Sequence, residues 1–311
     1  MGTPDFAVPA LRAAARACEV VAVVTPPDRP QGRGRRPAPS AIAAAADELG
    51  LRILKTEDVN AAAFVEELKA LAPDLFAVVA FGAILKPGLL AVPRLGSINL
   101  HGSLLPDYRG ASPVQRALWD GCSGTGVTTL WMDQGIDTGD CVLQRWMSVD
   151  ARDNAGTLGA RLAELGGPLL AESLLLAHAG RAPRRPQDRA AGSYARKLSK
   201  GDGIVDWLLD AIAVWNRQRA VTPWPGAATG FRGKRLLIME CWPHHRLPVG
   251  REPGSVLAVS PEGIAVACAS GVLMITRVKP EGRGEMNAAE WARGARIEPG
   301  DALEWQKEAE T

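Results

Sequence analysis

The chain lacks the sequence features of several large classes of protein. Its five cysteines are scattered and include no CxxC pair, which argues against a disulfide framework and indicates free thiols in a reducing cytosol. No apolar run reaches the roughly 18 residues that a membrane-spanning helix needs. The first residues show no basic-then-apolar pattern, so we expect no secretory signal peptide. These absences predict a cytoplasmic protein.

Nucleotide-binding signatures and a strong net charge are also missing. The chain contains no GxGxxG and no Walker sequence, so nothing in it supports a nucleotide cofactor. The formal net charge is only +2, and any contact with nucleic acid must therefore come from local basic patches. His244 and His245 follow Cys241 closely, but no second ligand pair stands at the spacing of a zinc site. We expect no bound metal.

The first half of the chain alternates apolar runs with helix-like segments. The apolar runs predict strands, buried on both faces of a parallel sheet, at 20–25, 74–81, 97–101 and 127–132. The segments between and after them predict helices at 7–18, 39–49, 59–71, 111–120 and 157–177. This alternation predicts an α/β fold with a doubly wound, mostly parallel sheet.

The second half of the chain follows a different pattern. A stretch rich in Pro, Gly and Arg at 180–192 indicates a break between domains. After a predicted helix at about 206–219, short β-like runs separated by Gly and Pro occupy 235–242, 254–260, 263–269 and 271–279. Such runs favour a small antiparallel β-domain, with an open barrel as the predicted form. We therefore predict a first domain at 1–188, a linker at 189–205 and a second domain at 206–311.

A carboxamide and an imidazole stand two residues apart at the end of a predicted strand. Because strand side chains alternate between faces, Asn99 and His101 project to one side, about 7 Å apart along the chain. Ligands of open α/β sheets bind beyond the carboxyl ends of the strands. Asp137, in GIDTGD, is a candidate to hold the imidazole, although turn aspartates often bond their own backbone and Asp140 competes with it. Acyl transfer uses these three groups.

Ser103 and the basic loop 26–37 each have two competing interpretations. Ser103 follows His101 closely, but the GxSxG elbow of serine hydrolases is absent, and a serine so close to its base on one strand reaches it poorly. The Pro- and Gly-rich loop 26–37 is either a solvated cluster of charge or a grip for phosphates. Its arginines are Arg29, Arg33, Arg35 and Arg36.

These residues resemble the formyltransferases that use 10-formyltetrahydrofolate, and the resemblance covers nearly the whole chain. The block at 97–116 together with GIDTGD is specific to that group. The basic loop and the C-terminal β-domain narrow the resemblance to the branch that acts on methionyl-tRNA. The other matching segments are GTPDFAVPAL (2–11), VVAFGAIL (78–85), YARKLSK (194–200) and TPWPGA (222–227).

The resemblance implies a reaction and a set of residues. A formyl group passes from 10-formyltetrahydrofolate to the α-amino group of initiator methionyl-tRNA, without a metal and on an enzyme that acts as a monomer away from membranes. The catalytic residues are Asn99, His101 and Asp137. The implied folate contacts are Ser103, Leu104, Leu105, Pro106, Phe81, Gly82 and Ile84. The implied tRNA contacts are the four arginines of the loop and an OB-like C-terminal domain.

Other functions remain open from the residues alone. The same three catalytic groups serve the formylation of a glycinamide ribonucleotide or an amino sugar, and the hydrolysis of a formyl-folate, but those enzymes need neither the basic loop nor the β-domain. An RNA-binding module with an inactive site is a further alternative. The intact Asn99, His101 and Asp137 argue against that last reading.

The resemblance also predicts a defect at the start of the chain. In the family an apolar strand precedes the GTPDF segment, whereas this chain begins at Met1-Gly2-Thr3, so that only Met1 precedes it. We therefore expect this central strand to be missing, with a translation start farther upstream as the explanation. Its two neighbouring strands are expected to face unpaired backbone groups, which are costly when buried.

Overall fold

The structure is a computed structural model that describes residues 1–31, 36–188, 190–244 and 251–304. Its α-helices are α1 (Val8–Ala17), α2 (Ala41–Glu48), α3 (Ala62–Ala70), α4 (Pro87–Leu90), α5 (Pro113–Trp119), α6 (Ala155–His178), α7 (Ala211–Ala220) and α8 (Ala288–Ala295). None of the helices in these ranges combines the length and the apolar character that crossing a membrane requires.

The strands alternate with the helices in the first half of the chain and follow one another in the second. They are β1 (Val23–Thr25), β2 (Arg29–Gln31), β3 (Arg36–Ala38), β4 (Ile53–Lys55), β5 (Phe76–Val79), β6 (Ser97–His101), β7 (Arg109–Gly110), β8 (Gly124–Trp131), β9 (Cys141–Ser148), β10 (Tyr194–Ala195), β11 (Ala227–Phe231), β12 (Lys234–His244), β13 (Val256–Ser260), β14 (Gly263–Ala267), β15 (Val272–Pro280) and β16 (Met286–Asn287).

The chain forms two compact units that do not divide at a single point. Unit 1 consists of Met1–Pro113, Ser123–Val149 and Thr157–Arg196. Unit 2 consists of Lys197–Thr311 together with the short segments Val114–Cys122 and Asp150–Gly156.

The main sheet of unit 1 is mixed. Its strand order is β5-β6-β8-β9, with β6 parallel to β5 but antiparallel to β8, and β8 antiparallel to β9. The sequence prediction of a parallel strand at 127–132 is therefore wrong in direction. All but the first residue of β8 are buried, and a strand buried on both faces shows the same apolar run whichever way it runs. Strand β9 was not predicted, because its exposed residues 144–146 interrupt the apolar pattern.

Two residues of the expected first strand are present. Met1 and Gly2 lie between β1 and β5: the Gly2 N–H donates to the Val24 carbonyl at 3.1 Å, and the Met1 carbonyl accepts from the Val79 N–H at 2.9 Å. The α-amino group of Met1 donates to the Ala77 carbonyl at 2.7 Å. The expectation that this strand is missing is thus corrected in part, since these residues supply partners to both neighbouring strands.

Capping residues set where two of the predicted helices begin. The Ser40 hydroxyl accepts from the Ala43 N–H, so α2 starts at Ala41, close to its predicted start. Helix α7 begins at Ala211 rather than at 206, because the Asp210 carboxylate accepts from the N–H groups of Ile212 and Ala213.

Unit 2 contains an open antiparallel sheet. Its order is β11-β12-β15-β14-β13, and β16 adds to β15. Among the described residues no pairing joins β11 to β13, so the sheet as described does not close into a barrel. The core beneath it is apolar and almost fully buried, with Leu236, Val256, Ile264, Leu273 and Ile275 among its members.

The stretch at 180–192, interpreted from its composition as a break between domains, packs onto unit 1. Arg185 forms an antiparallel bridge with Cys141, and the Trp131 indole N–H donates to the Pro183 carbonyl at 3.1 Å. Strand β10 then pairs in parallel with β7. We call residues 181–188 and 190–195 the strap.

Candidate active site

Asn99 and His101 occupy the carboxyl-terminal end of β6, an inner strand of the four-stranded sheet. Asn99 lies between Val78 of β5 and Leu130 of β8, and His101 lies opposite Thr128. His101 is only 5% exposed, whereas Asn99 is partly open to solvent. Hydrogen bonds on both sides of β6 fix the backbone that carries these two side chains.

The Asp137 carboxylate contacts both of them. One oxygen, Oδ1, accepts from the Asn99 Nδ2 at 3.3 Å, and the other, Oδ2, lies 3.5 Å from the His101 Nδ1. Oδ2 also accepts from the Gly110 N–H at 2.8 Å. The structure therefore brings together the three residues that the sequence pattern and the resemblance selected.

The second ring nitrogen of His101 also has a partner. Nε2 lies 2.8 Å from the carbonyl oxygen of Tyr108, which can only accept a hydrogen bond, so Nε2 carries a hydrogen. Tyr108 adopts the left-handed backbone region, with φ 59°. The imidazole is thus held between a carboxylate and a carbonyl.

The GIDTGD turn places the carboxylate of Asp137, rather than that of Asp140, against Asn99 and His101. Asp137 has φ 55°, a left-handed conformation that aspartate tolerates better than most residues. The backbone carbonyl of the competing Asp140 accepts from the Trp131 N–H at 2.8 Å. Gly139 is required beside it, because a Cβ there would stand 1.8 Å from the Trp131 carbonyl oxygen.

The segment Ser103–Pro106 forms hydrogen bonds with strand β8 rather than with the His101 imidazole. Ser103 is fully buried and its hydroxyl donates to the Asp107 carbonyl, so it is not placed as a nucleophile activated by His101. The Thr128 hydroxyl donates to the Ser103 carbonyl at 2.7 Å and accepts from the Leu105 N–H at 3.0 Å. Leu104 and Pro106 remain partly exposed.

The other predicted folate contacts form a separate clamped turn. Asn60 donates from Nδ2 to the Ile84 carbonyl at 3.0 Å and accepts from the Lys86 N–H at 2.8 Å. The Ile84 side chain is 70% exposed, and a Cβ at Gly82 would meet no atom within 4 Å. Phe81 is buried and its carbonyl accepts from the Thr3 hydroxyl. In the described ranges the hydrogen bonds of this turn run to Asn60 and Thr3, not to Asp137.

The predicted tRNA contacts are only partly described. Arg29 lies in β2, which pairs with β3 as a hairpin, and its exposed side chain forms an ion pair of 2.7 Å with Glu57. The backbone of Arg36 pairs with Gln31 in the same hairpin. Arg33 and Arg35 lie outside the described residues. None of the described contacts brings this hairpin to His101.

Sequence reasoning missed three residues that surround Asp137. Gly110 donates its N–H to the Asp137 carboxylate. Gln187, in the strap, donates from Nε2 to the carbonyls of Asp137 and Gly139, and Arg109 donates to the Gln187 Oε1. Arg109 and Gln187 lie 78 positions apart, and no periodicity links them. The only sequence signal for these residues was the pair Arg109-Gly110, a basic residue beside a glycine shortly after His101.

The described residues contain no group of three or more His, Cys, Asp or Glu side chains arranged to hold a metal. Cys241 is 2% exposed, and burial raises the pKa of its thiol far above the usual range. The neighbouring His245 lies outside the described residues.

Comparisons with known proteins agree on one family. A sequence profile described as "Formyl transferase" matches residues 5–174, and one described as "Formyl transferase, C-terminal domain" matches residues 197–296. The chain is 44% identical over 307 residues to a methionyl-tRNA formyltransferase of Geobacter sulfurreducens, covering 97% of this chain and 95% of that one. It is 45% identical over 308 residues to that of Heliobacterium modesticaldum, covering 96% and 97%.

Solved structures with a similar fold are more distant in sequence. The N-formyltransferase of Helicobacter canadensis, crystallised with folinic acid and dTDP-3-aminofucose, superposes with a TM-score of 0.66 at 17% identity over 88% of this chain and 96% of that one. HypX of Aquifex aeolicus, in complex with tetrahydrofolic acid, gives a TM-score of 0.59 at 20% identity over 84% and 47%. These similarities concern the fold alone.

Proposed function

The chain belongs to the methionyl-tRNA formyltransferase family, and we propose that it transfers the formyl group of 10-formyltetrahydrofolate to the α-amino group of methionine on initiator tRNA. The product, formylmethionyl-tRNA, serves translation initiation. The observation that carries the proposal is the contact of Asp137 with both Asn99 and His101 in a chain that matches this family over nearly its whole length.

The reaction is an acyl transfer between two nitrogens. The amine attacks the formyl carbon, and the electron pair of the C=O bond moves to oxygen, giving a tetrahedral oxyanion. When the oxyanion collapses, the bond to the donor nitrogen breaks. One proton leaves the attacking amine and one arrives on the departing nitrogen, so the protons balance. The step requires hydrogen-bond donors at the oxyanion and a path for the proton.

We assign the oxyanion donors to Asn99 and His101. The Asn99 amide has two N–H groups; one faces Asp137, and the other remains for the formyl oxygen. The Nε2 hydrogen of His101 is held by the Tyr108 carbonyl, and in our proposal the formyl oxygen shares or replaces that acceptor on binding. A donor of this kind is worth about 3 kcal/mol. Asp137 orients the imidazole and helps to pass the proton through water, a role typically worth about 10²–10⁴-fold.

We assign folate binding to Ser103, Leu104, Leu105 and Pro106 with Phe81, Gly82 and Ile84. The exposed Ile84 supports this assignment, because a large apolar side chain held in solvent by a clamped turn is available to pack against a ligand. The open space beside Gly82 supports it as well.

We assign tRNA phosphate contacts to Arg29, Arg33, Arg35 and Arg36. The ion pair between Arg29 and Glu57 is exposed and therefore weak, so a phosphate can compete for that guanidinium. We further propose that residues 1–188 carry catalysis, that 189–205 connect the domains, and that 206–311 form an OB-like domain that helps to bind tRNA. The enzyme is proposed to act as a cytoplasmic monomer.

The test is a formylation assay with charged initiator tRNA and 10-formyltetrahydrofolate. Free methionine, a glycinamide ribonucleotide and a dTDP-linked amino sugar serve as competing acceptors. We expect formylation of methionyl-tRNA and at most trace reaction with the small amines. Formylation of a small amine without formylation of methionyl-tRNA would overturn the proposal.

A further inference from the structure

The turn that carries Asp137 holds a strained backbone that needs support. A left-handed conformation costs a residue other than glycine on the order of 1 kcal/mol, and it persists where surrounding contacts impose it. Within the turn, the Asp133 carboxylate accepts from the Thr138 hydroxyl at 2.8 Å and from the Gly135 N–H at 2.9 Å. Further support comes from outside the turn, and part of it comes from the strap.

Gln187 of the strap binds the backbone on both sides of Thr138. Its Nε2 donates to the Asp137 carbonyl at 2.8 Å and to the Gly139 carbonyl at 2.7 Å. Its Oε1 accepts from Arg109, at 3.1 Å from Nε and 2.9 Å from Nη2. Because a guanidinium only donates, Arg109 requires the amide oxygen to face it and the amide nitrogen to face the turn.

Arg109 is itself fixed in the interior of unit 1. It is 2% exposed, and its guanidinium donates to the carbonyls of Ala191 at 3.2 Å and Asp188 at 3.1 Å. The next residue, Gly110, donates its N–H to the Asp137 carboxylate. Strand β7 therefore holds Asp137 twice, at the carboxylate through the Gly110 backbone and at the main chain through Arg109 and Gln187.

We propose that Gln187, oriented by Arg109, is a positioning residue that sets the Asp137 carboxylate against Asn99 and His101. The inference rests on the proposed function, because it requires Asp137 to act in formyl transfer. Gln187 bonds the main chain at Asp137 and Gly139, and in this proposal it acts through the position of the Asp137 carboxylate. A catalytic group that moves by about 1 Å can lose on the order of 10²-fold in rate, so the loss of two hydrogen bonds to this turn affects turnover rather than binding.

The first experiment compares Gln187→Met and Gln187→Glu with the unaltered enzyme. Methionine keeps the length of the side chain and removes its hydrogen bonds, whereas glutamate keeps the bonds to Arg109 and turns an oxygen toward two carbonyls. We expect kcat to fall on the order of 10²-fold in both variants, with KM for folate and for tRNA changed by no more than a few-fold. If Gln187→Met does not fold, Gln187→Glu carries the same test.

A matched control comes from unit 2. Gln218 is also a buried glutamine, and its Nε2 donates to the Met239 carbonyl at 2.8 Å. Gln218→Glu is expected to lower the melting temperature while leaving kcat near the wild-type value. A kcat loss in Gln218→Glu as large as that in Gln187→Glu would assign both effects to general destabilisation and overturn the inference.

A double-variant cycle tests whether Gln187 acts through Asp137. In an Asp137→Asn background, Gln187→Met should cause no further loss of kcat. Multiplicative losses in the double variant, or wild-type kcat in both Gln187 variants, would overturn the positioning role while leaving the proposed function intact. Wild-type kcat in Asp137→Asn alone would instead overturn the role of Asp137 and the inference together.

Discussion

The site of unit 1 and the sheet of unit 2 bury very different side chains. Around Asp137 the buried groups are polar, as Arg109, His101 and Thr128 show, and each makes hydrogen bonds. The sheet of unit 2 buries apolar residues such as Leu273 and Ile275. A buried polar group left without its partner costs about 1–3 kcal/mol, whereas buried apolar groups stabilise directly. The buried groups of the site in unit 1 therefore hold chemical groups in position, whereas the buried groups beneath the sheet of unit 2 stabilise the fold.

The largest effect on turnover should come from the carboxyl-terminal end of β6. Asn99→Ala and His101→Ala are each expected to lower kcat by about 10²–10³-fold, because each removes a donor at the oxyanion. Steady-state kinetics and folate binding should be measured together, and folate binding should persist. Asn287→Ala is the matched control, since this asparagine caps α8 and its loss should cost about 1 kcal/mol of stability and no turnover. Near-normal kcat in either site variant would contradict the assignment.

The opposite behaviour is expected in the core of unit 2. Leu273→Ala should lower the free energy of unfolding by about 2–5 kcal/mol, because it leaves a cavity beneath the sheet. At temperatures where the variant stays folded, kcat should match the wild-type value. Denaturant unfolding and steady-state kinetics, measured on the same preparation, compare the free energy of unfolding and kcat of the variant with those of the wild type. A large kcat loss in the folded variant would remove the contrast between the two units.

Thiol chemistry gives a third comparison within the chain. Burial raises the pKa of Cys268 to about 12 and raises that of Cys241 further. Burial also raises the pKa of Cys18, but Cys18 and Cys122 are partly exposed, whereas Cys241 and Cys268 are buried. A thiol reagent at pH 8 should therefore label Cys18 and Cys122 in the native protein, and Cys241 and Cys268 only after unfolding. Rapid labelling of Cys268 in the native state would contradict the tight packing of unit 2.

The same shifts predict how stability depends on pH. Above about pH 9 the unfolded chain loses the thiol protons while the folded chain keeps them, so the free energy of unfolding falls as pH rises. The decline should approach about 1.4 kcal/mol per pH unit for each such thiol. Cys268→Ala should reduce that slope, which denaturant unfolding between pH 8.5 and 10.5 measures.

The smallest effects are expected in the basic loop 26–37. Arg33→Ala should raise KM for tRNA, leave KM for folate unchanged, and reduce the slope of log K against log salt by about 1. Arg12→Ala, which removes an exposed arginine paired with Glu48, is the matched control. An unchanged KM for tRNA would exclude a phosphate contact at Arg33.

Local patterns predicted the parts of the fold that depend on neighbouring residues. The two-residue spacing placed Asn99 and His101 on one side of a strand. Six of the eight α-helices in the described ranges overlap predicted segments, whereas α4 and α8 were not predicted. Strand direction was not accessible in this way: the apolar run of β8 reports burial, not the orientation of its partners. Strand β9 was not predicted because its exposed side chains at 144–146 interrupt the apolar run by which buried strands are recognised.

The support of the site depends on contacts between distant residues, which no local pattern encodes. Arg109 and Gln187 meet across 78 positions, and the Pro- and Arg-rich composition around Gln187 indicates a linker rather than a strap. The sequence alone left Asp137 in competition with Asp140, and the family resemblance decided between them, since a turn aspartate has no distinctive local pattern. The first strand of the family was expected to be missing because the chain begins at Met1-Gly2-Thr3, yet Met1 and Gly2 pair with both β1 and β5.

The most direct test is single-turnover formylation of methionyl-tRNA by Asp137→Asn. Both substrates should be present at saturating concentration, with their binding measured independently. The contacts of Asp137 with Asn99 and His101 predict a rate at least about 10²-fold lower, with both substrates still bound. A rate within a few-fold of the wild-type value would contradict the claim that these three residues act together on one formyl group.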